Sequence, residues 1–270
     1  MSNVVLSDNE FKDLCALVFE YTGIKIKEEK KALAFTRFSK RLKTLKLSSF
    51  NEYYQYVINN DSEIESFTNA ITTNLTSFFR ESHHFTFLSE KVVPNLLAKG
   101  QKKIRIWSAG CSTGEEPYSI AISLLETIPK IKNLDVKILA TDIDTQVLSK
   151  AKAGTYQIAD LEQFADTVKS TWYKKIKGSN SIEISPNIKE MISFKKLNLI
   201  SNQWPMHGPF DVIFCRNVII YFDKDTQKKL ISRFARLQYP SAYLFSGHSE
   251  SLQTVSDKYK HVGRTTYKLK

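Results

Sequence analysis

The sequence predicts an α/β fold preceded by a small all-α domain, and two patterns carry this prediction. In the first 70 residues, apolar side chains recur at helical spacing after candidate caps such as Ser7 with Glu10. Beyond residue 99, apolar runs typical of buried strands, such as Ile104 to Trp107 and Phe210 to Cys215, alternate with helical stretches. This alternation predicts a largely parallel sheet covered by helices.

The predicted chain has three parts. Residues 1–70 form the helical domain, residues 71–98 form a linker with a connecting helix, and residues 99–270 form the α/β domain. Short β-like runs separated by turns at residues 178–180 and 185–187 predict a small antiparallel insertion at about residues 170–195. A hairpin that turns at Gly263 and Arg264 is predicted to close the domain.

Composition favours a cytosolic globular protein. Apolar residues make up 42% of the 270 residues, which is ordinary for a chain that buries a core. The chain has no apolar run long enough for a membrane helix, and Met1 to Glu10 lacks the pattern of a signal peptide. Its three cysteines are far apart, which favours reduced thiols over disulfides or a zinc knuckle. We therefore expect cytoplasmic localisation and no membrane insertion.

The chain is strongly basic, with a formal net charge of +11 and a pI near 9.4. Much of the excess lies between Lys25 and Lys46, where the only acidic residues are Glu28 and Glu29. Such a block predicts a polyanionic partner, and either a nucleic acid or an acidic protein surface would satisfy it.

A strand, a turn of small residues and a helix follow one another from Ile104 onwards. Gly110 and Gly114 in this turn allow a ligand to approach the backbone closely, and the helix that follows offers unpaired N–H groups. The spacing is G-x-x-x-G, however, and not the G-x-G-x-x-G of dinucleotide sites. Because Glu115 and Glu116 follow directly, the turn favours a ligand with cationic groups over a pyrophosphate.

A second predicted strand ends at Asp142, about thirty residues after the first glycine. In nucleotide-binding α/β folds, an acid at this place accepts hydrogen bonds from ribose hydroxyls. A lone G-x-x-x-G is equally compatible with an ordinary tight turn between a strand and a helix. Glycine turn and strand-end acid together indicate a nucleoside site.

The pair His83 and His84 raises the question of a metal site. Both lie in an aromatic-rich stretch that predicts a helix leading to Pro94. Adjacent residues on a helix point in different directions, and no second ligand follows at helical spacing. The sequence therefore predicts no metal ion.

Five motifs, in this order along the chain, resemble those of the bacterial chemotaxis receptor methyltransferases. They are Thr73-Asn-Leu-Thr-Ser-Phe-Phe-Arg80, Ser112-Thr-Gly-Glu-Glu-Pro-Tyr118, Ala140-Thr-Asp-Ile-Asp144, Arg216-Asn-Val-Ile-Ile-Tyr221 and Phe245-Ser-Gly-His-Ser-Glu250. The resemblance implies a Rossmann-like methyltransferase domain with a small antiparallel β insertion, behind a small all-α domain. It also implies methylation of chemoreceptor glutamates with S-adenosyl-L-methionine, which leaves S-adenosyl-L-homocysteine.

The resemblance implies site residues as well. By motif match, the cofactor contacts are Asn74, Thr76, Arg80, Gly110, Glu116, Asp142, Asn198, Leu199, Arg216 and Asn217. We expect Arg80 to hold the incoming carboxylate and Tyr221 to shape the pocket beside the methyl group. The cytoplasmic helices of the receptor are predicted to dock on the basic helix through Arg37, Lys40, Arg41 and Lys43. The insertion is either a docking sheet for the receptor's C-terminal tail or a lid over the cofactor.

A competing hypothesis makes the chain a binding module that senses S-adenosylmethionine or binds nucleic acid through the basic helix. The chain lacks the aromatic signatures of RNA-binding modules. Its linker motif and the Asn217 to Tyr221 motif are intact. The sequence therefore favours the enzyme and no nucleic acid partner.

Overall fold

A computed structural model describes residues 4–128, 133–162, 170–252 and 256–270. Residues 4–71 form the predicted helical domain. Its helices are α1 (Asp8–Thr22), α2 (Lys31–Leu45), α3 (Phe50–Asn59) and α4 (Asp61–Ile71). Ser7 and Glu10 form the predicted capping box at the start of α1, and Gly23 ends this helix in a left-handed conformation. The local signals in the sequence therefore set both ends of α1.

The helical domain has its own core, where the apolar stripes of the four helices meet. The rings of Phe38 and Phe67 stack with centroids 5.1 Å apart, and Tyr53 packs against both. Beside these rings, Arg41 binds the buried carboxylate of Glu63 through two hydrogen bonds of 2.8 and 2.6 Å. The hydroxyl of Tyr53 donates a third to the same carboxylate. This polar cluster ties α2, α3 and α4 together.

The internal contacts of α2 change the interpretation of its basic residues. Arg37 donates to the carbonyl oxygens of Ile71 and Thr72 at 2.7 and 2.6 Å and thereby holds the end of α4. Arg41 is the partner of Glu63. Both arginines therefore have structural partners within the helical domain, and these contacts compete with the docking role predicted for them. Lys40 and Lys43 are exposed, and for these two the docking role stays a prediction.

The connection to the second domain is irregular before it becomes helical. Residues 72–77 have no regular structure and residues 78–82 form turns, so Phe78 and Phe79 precede the connecting helix. That helix consists of α5 (His83–Phe87), a π-helical turn (Leu88–Val92) and α6 (Val93–Ala98). The prediction that the whole aromatic cluster lies in a helix is wrong. The positive φ angles of Phe79 and Glu81 are incompatible with a continuous helix.

A mixed sheet forms the centre of the second domain. Its described strands are β1 (Lys103–Ala109), β2 (Asp135–Asp142), β6 (Ile192–Lys196), β7 (Phe210–Cys215), β8 (Gln238–Ser246), β9 (Tyr259–Gly263) and β10 (Thr266–Leu269). Their order is β6-β2-β1-β7-β8-β10-β9, and only the last two pairings are antiparallel. The predicted closing hairpin is β9 with β10.

Helices cover both faces of the sheet. They are α7 (Glu115–Thr127), α8 (Thr145–Ala153) and α11 (Lys224–Arg236). Side chains alternate between two cores: Val212 and Phe214 lie in one, and Ile213 and Cys215 in the other. The continuous apolar run of β7 is explained by this burial on both faces. The predicted Rossmann-like architecture is confirmed.

A second, antiparallel sheet lies beside the main one. It contains β3 (Thr155–Gln157), β4 (Tyr173–Lys175) and β5 (Ser181–Ile184) in the order β3-β5-β4. The short helices α9 (Ala159–Glu162) and α10 (Pro186–Lys189) accompany it. The predicted bounds of 170–195 differ from this arrangement, since β3 precedes them and β6 belongs to the main sheet. Periodicity does not reveal which partner a short strand will take.

The Arg41–Glu63 pair yields a stability prediction. Replacement of Arg41 by Met leaves the buried carboxylate of Glu63 without its cation, which should lower the free energy of unfolding of the helical domain by about 3 kcal/mol. Urea unfolding followed by circular dichroism measures this loss. The matched control is Lys43→Met on the same helix, which we expect to change stability by less than about 0.5 kcal/mol. Equal stability of the two variants would contradict a structural role of Arg41.

Candidate active site

A cavity of about 480 Å³ lies where the helical domain, the linker and the carboxyl ends of β1, β2 and β7 meet. All of the predicted cofactor and catalytic residues line it: Asn74, Thr76, Arg80, Gly110, Glu116, Asp142, Asn198, Leu199, Arg216, Asn217 and Tyr221. The four predicted docking residues lie outside its lining. Residues that are up to 147 positions apart in the chain are thus brought into one pocket, which is of the size that small-molecule sites usually have.

The sheet topology places the pocket. From the central strand β1, the neighbour β2 lies on one side and β7 on the other, so the chain order reverses at β1. Ligands of open α/β sheets bind at such a point, outside the carboxyl ends of the strands. Gly110, Asp142 and Arg216 each lie at or directly after the end of one of these strands.

The glycine turn after β1 is shaped by contact with another loop. Gly110 has φ +88°, and a Cβ at this position would lie 2.4 Å from Cγ2 of Val218. The amides of Gly110 and Cys111 donate to the carbonyl oxygen of Thr141 at the end of β2. These two N–H groups are therefore not free to bind a ligand. They instead fix the end of β2 beside the turn.

Asp142 accepts two backbone hydrogen bonds and keeps room for more. The amides of Ser112 and Asp144 donate to its two carboxylate oxygens at 2.8 and 3.0 Å. A carboxylate has about four acceptor positions, so two remain for a ligand. Burial raises the pKa of Asp142, although these two amides lower it. A hydrogen-bond donor on a ligand would offset part of that burial cost.

Glu116 and Arg216 form a buried ion pair that also lines the pocket. Arg216 donates from Nη1 to Oε2 of Glu116 at 3.1 Å, and Ser108 donates to Oε1 at 2.7 Å. Burial raises the pKa of Glu116, while the positive charge of Arg216 acts in the other direction. Arg216 also donates to the carbonyl oxygen of Arg80. The pair therefore links the start of α7, the end of β7 and the linker.

The two predicted catalytic residues lie on loops that other side chains hold in place. The guanidinium of Arg80 donates to the carbonyl oxygen of Leu75 at 2.8 Å, which curves the linker over the pocket. Tyr221 ends a 3₁₀ turn (Ile219–Tyr221), and the amides of Asn217 and Ile220 in this loop donate to the buried carboxylate of Glu250. Glu250 thus positions the loop of Tyr221, a role that the sequence signalled only through its motif.

Asp144 holds the linker against the sheet. Its Oδ2 accepts hydrogen bonds from Thr72 and Asn74 at 2.6 and 2.8 Å, and its Oδ1 caps α8 through the amides of Gln146 and Val147. The amide group of Asn74, predicted to contact the cofactor, is thus engaged with Asp144 although Asn74 also lines the pocket. This role of Asp144 was not predicted from the sequence, although Asp144 is the second acid of the Thr-Asp-Ile-Asp motif.

The helical domain supplies one wall of the pocket, which sequence reasoning also missed. Lys25, Lys27 and Lys30 are among its lining residues, together with Leu33 and Ala34 of α2. The amide of Lys25 donates to the carbonyl oxygen of Tyr221 at 2.9 Å. On the same side, Asn198 donates to the carbonyl oxygen of Tyr21 at the end of α1. The positive charge between Lys25 and Lys46 predicted a partner, but it did not show that three of these lysines line the pocket.

Two carboxylates and two guanidinium groups therefore share a pocket with apolar walls. Such a set is suited to a ligand that carries both hydroxyl or ammonium donors and a carboxylate, as a nucleoside joined to an amino acid does. The glycine turn adds a stretch of backbone without side chains, against which a ligand can lie. The donor set thus fits S-adenosylmethionine.

The comparisons with known proteins agree with this geometry. Residues 74–268 match the family described as "CheR methyltransferase, SAM binding domain", and residues 9–72 match "CheR methyltransferase, all-alpha domain". A probable chemotaxis protein methyltransferase of Rhizobium etli is 41% identical, over 93% of this chain and 96% of its own length. Chemotaxis protein methyltransferase 2 of Pseudomonas aeruginosa is 40% identical, over 96% of this chain and 92% of its own length. A chemotaxis protein methyltransferase of Salmonella typhimurium is 37% identical, over 98% of this chain and 92% of its own length.

The chain belongs to the CheR methyltransferase family. It is a methyltransferase, and its cofactor is S-adenosylmethionine. The resemblance inferred from the five motifs is confirmed. Among the described residues, no helix combines the length and the apolar character that crossing a bilayer requires.

The contact of Gly110 with Val218 predicts a specific loss of cofactor binding. Gly110→Ala should displace the turn or the Val218 loop and weaken cofactor affinity by on the order of tenfold or more, measured by calorimetry. Gly178→Ala is the control, because Gly178 has a similar φ of +80° but open space around its Cβ position. Addition of Val218→Ala to Gly110→Ala should restore part of the affinity. No recovery in this double variant would refute the steric explanation.

Proposed function

We propose that this protein transfers the methyl group of S-adenosylmethionine to glutamate side chains of chemoreceptors and forms methyl esters, as adaptation in bacterial chemotaxis requires. The observation that carries the proposal is the joint pocket. Its lining combines the buried carboxylates of Asp142 and Glu116 with the half-buried Arg80 and with exposed lysines of the helical domain, which mark its opening. An acidic protein substrate would meet positive charge at this opening.

Within this proposal, the remaining acceptor positions of Asp142 bind the two ribose hydroxyls. Glu116 binds the ammonium group of the methionine part while it remains paired with Arg216. Asn74, Thr76, Asn198, Leu199, Arg216 and Asn217 form the other walls around the cofactor, and all of them line the pocket. Gly110 lets the cofactor lie against the backbone of the turn.

The proposed reaction needs no general base. A glutamate side chain has a reference pKa near 4.3 and is ionised at neutral pH. S-adenosylmethionine supplies a methyl group on a positively charged sulfur; the carboxylate oxygen forms the new bond to carbon, the bond to sulfur breaks, and both charges disappear. Arg80 orients the incoming carboxylate, and the ring of Tyr221 restricts the approach to the line of the reaction.

Docking of the receptor rests on two further proposals. Exposed Lys40 and Lys43 attract an acidic receptor helix, which mainly raises the association rate and is screened by salt. The small sheet offers β3 and β4 as edge strands, to which a receptor tail peptide can add through main-chain hydrogen bonds. These roles place the protein in the cytoplasm, where the receptor helices are.

The deciding experiment uses S-adenosylmethionine labelled in the methyl group together with cytoplasmic receptor fragments. We expect base-labile label on glutamates, located by mass spectrometry, because methyl esters hydrolyse in alkali. A fragment in which the labelled glutamates are replaced by aspartate serves as the control. Tight cofactor binding without any transfer would instead favour a module that only senses S-adenosylmethionine.

Arg80 provides a prediction about turnover. At saturating cofactor and receptor, Arg80→Ala should lower kcat on the order of 100-fold, because the carboxylate is no longer held in line. Arg80→Lys keeps the positive charge but not the forked geometry of the guanidinium, so its kcat should lie between those of the wild type and Arg80→Ala. Lys260→Ala, at an exposed position of β9 with no proposed role, controls for a general loss of positive charge. A normal kcat for folded Arg80→Ala would remove the catalytic role.

A further inference from the structure

A partly buried polar cluster, formed by Glu81, His83 and His84, lies next to Arg216. Each of the three residues has one buried atom that finds no hydrogen-bond partner in the described part of the chain: Oε2 of Glu81, Nε2 of His83 and Nδ1 of His84. One potential ligand atom from each residue lies within 4.8 Å of those of the other two. Buried polar atoms are rarely left unpaired, so three on neighbouring side chains require an explanation.

The contacts of His84 determine which of its ring nitrogens can bind a cation. Its Nε2 lies 3.0 Å from the hydroxyl oxygen of Thr265, which can donate or accept, and 3.1 Å from the carbonyl oxygen of Arg264, which can only accept. Nε2 therefore carries the proton, and Nδ1 presents its lone pair to the cluster.

The lone pair of Nδ1 of His84 faces the carboxylate of Glu81, which is unfavourable unless a third group lies between them. Nδ1 of His84 and Oε2 of Glu81 are 3.7 Å apart, and both are acceptors. Only a cation or a hydrogen-bond donor between them satisfies both atoms. A carbonyl oxygen bound to the far nitrogen of a histidine is also the usual outer contact of a metal ligand, since it fixes the tautomer and the ring orientation.

His83 adds the third ligand group. The sequence argued against a metal because neighbouring helical residues point apart, but these two histidines begin α5 directly after the turn at Glu81. Their ring centroids are only 4.1 Å apart. The positive φ of Glu81 folds the chain back so that its carboxylate faces both rings.

The nearby positive charges leave Glu81 available. Nη2 of Arg216 lies 3.7 Å from Oε2 of Glu81, but Arg216 already has Glu116 as a closer partner at 3.1 Å. The other oxygen of Glu81 accepts the amide of His248 at 3.2 Å, which holds the carboxylate in place.

We propose that Glu81, His83 and His84 bind one divalent transition-metal ion of the zinc type. Two imidazoles and one carboxylate are a frequent ligand set for zinc, and a fourth position then stays open. Metal–ligand bonds of about 2.0–2.1 Å would bring the three atoms roughly 3.4 Å apart, which needs only a small closure of the turn. The bound ion would fix the turn that follows Arg80.

Titration of the full-length protein with zinc alone, in competition with a chromophoric chelator, tests the proposal. We expect one ion per chain with a dissociation constant on the order of micromolar. The nearby positive charges of Arg216 and Arg264 should keep the affinity from being higher. His83→Gln and Glu81→Gln should weaken binding by about 100-fold. His207→Gln and His261→Gln remove exposed histidines outside the cluster and should leave binding unchanged.

Two further readouts separate a built site from adventitious binding. Cobalt(II) should give the visible absorption of a four-coordinate site with the wild-type protein and not with His83→Gln. Zinc should raise the melting temperature of the wild type but not of that variant. Wild-type affinity in both cluster variants, or no binding by the wild type beyond that of His83→Gln, would overturn the proposal and leave an ordered water as the bridging group.

Discussion

The hydrogen bonds around the end of β2 fix the positions of the separate parts of the active site relative to one another. Asp142 accepts from the glycine turn after β1, and Asp144 accepts from the linker and caps α8. Two carboxylates thus join a central strand, a ligand-binding turn and the connection to the helical domain. Because burial of a carboxylate is costly without donors, each of these contacts also stabilises the charge that the site needs.

The same principle explains the opposite wall. Glu116 and Arg216 are both buried, and their attraction together with the donor from Ser108 offsets part of the desolvation of each. Each oxygen of Glu116 accepts one of these hydrogen bonds, and Glu116 also lines the pocket. Preorganised charge of this sort needs no rearrangement when a ligand binds, and it makes the loop positions around Arg80 and Asn217 interdependent.

The basic helix shows how the same type of residue serves different purposes. Arg37 and Arg41 donate several hydrogen bonds each to carbonyl and carboxylate groups within the helical domain. The planar guanidinium is suited to such multiple contacts, whereas the exposed lysines of the same helix carry their charge into solvent. The number of basic residues in this block is therefore larger than the number available to a partner. The lysines that line the pocket nevertheless bring positive charge nearer to the proposed reaction than the surface of α2 does.

The sequence by itself determined the α/β class, the caps of α1 and the apolar strands, because these depend on local periodicity and on short turns. The residues that line the pocket came from the resemblance of five motifs to a known family. The sequence did not determine that β6 joins the main sheet while β3 joins the small one, since short strands are assigned by long-range pairing. Only the tertiary structure decided that Arg41 is bound to Glu63, that Asn74 is engaged with Asp144 and that the two histidines face Glu81. Each of these outcomes depends on which distant group lies within hydrogen-bond reach, and side-chain spacing along the chain carries no information about that.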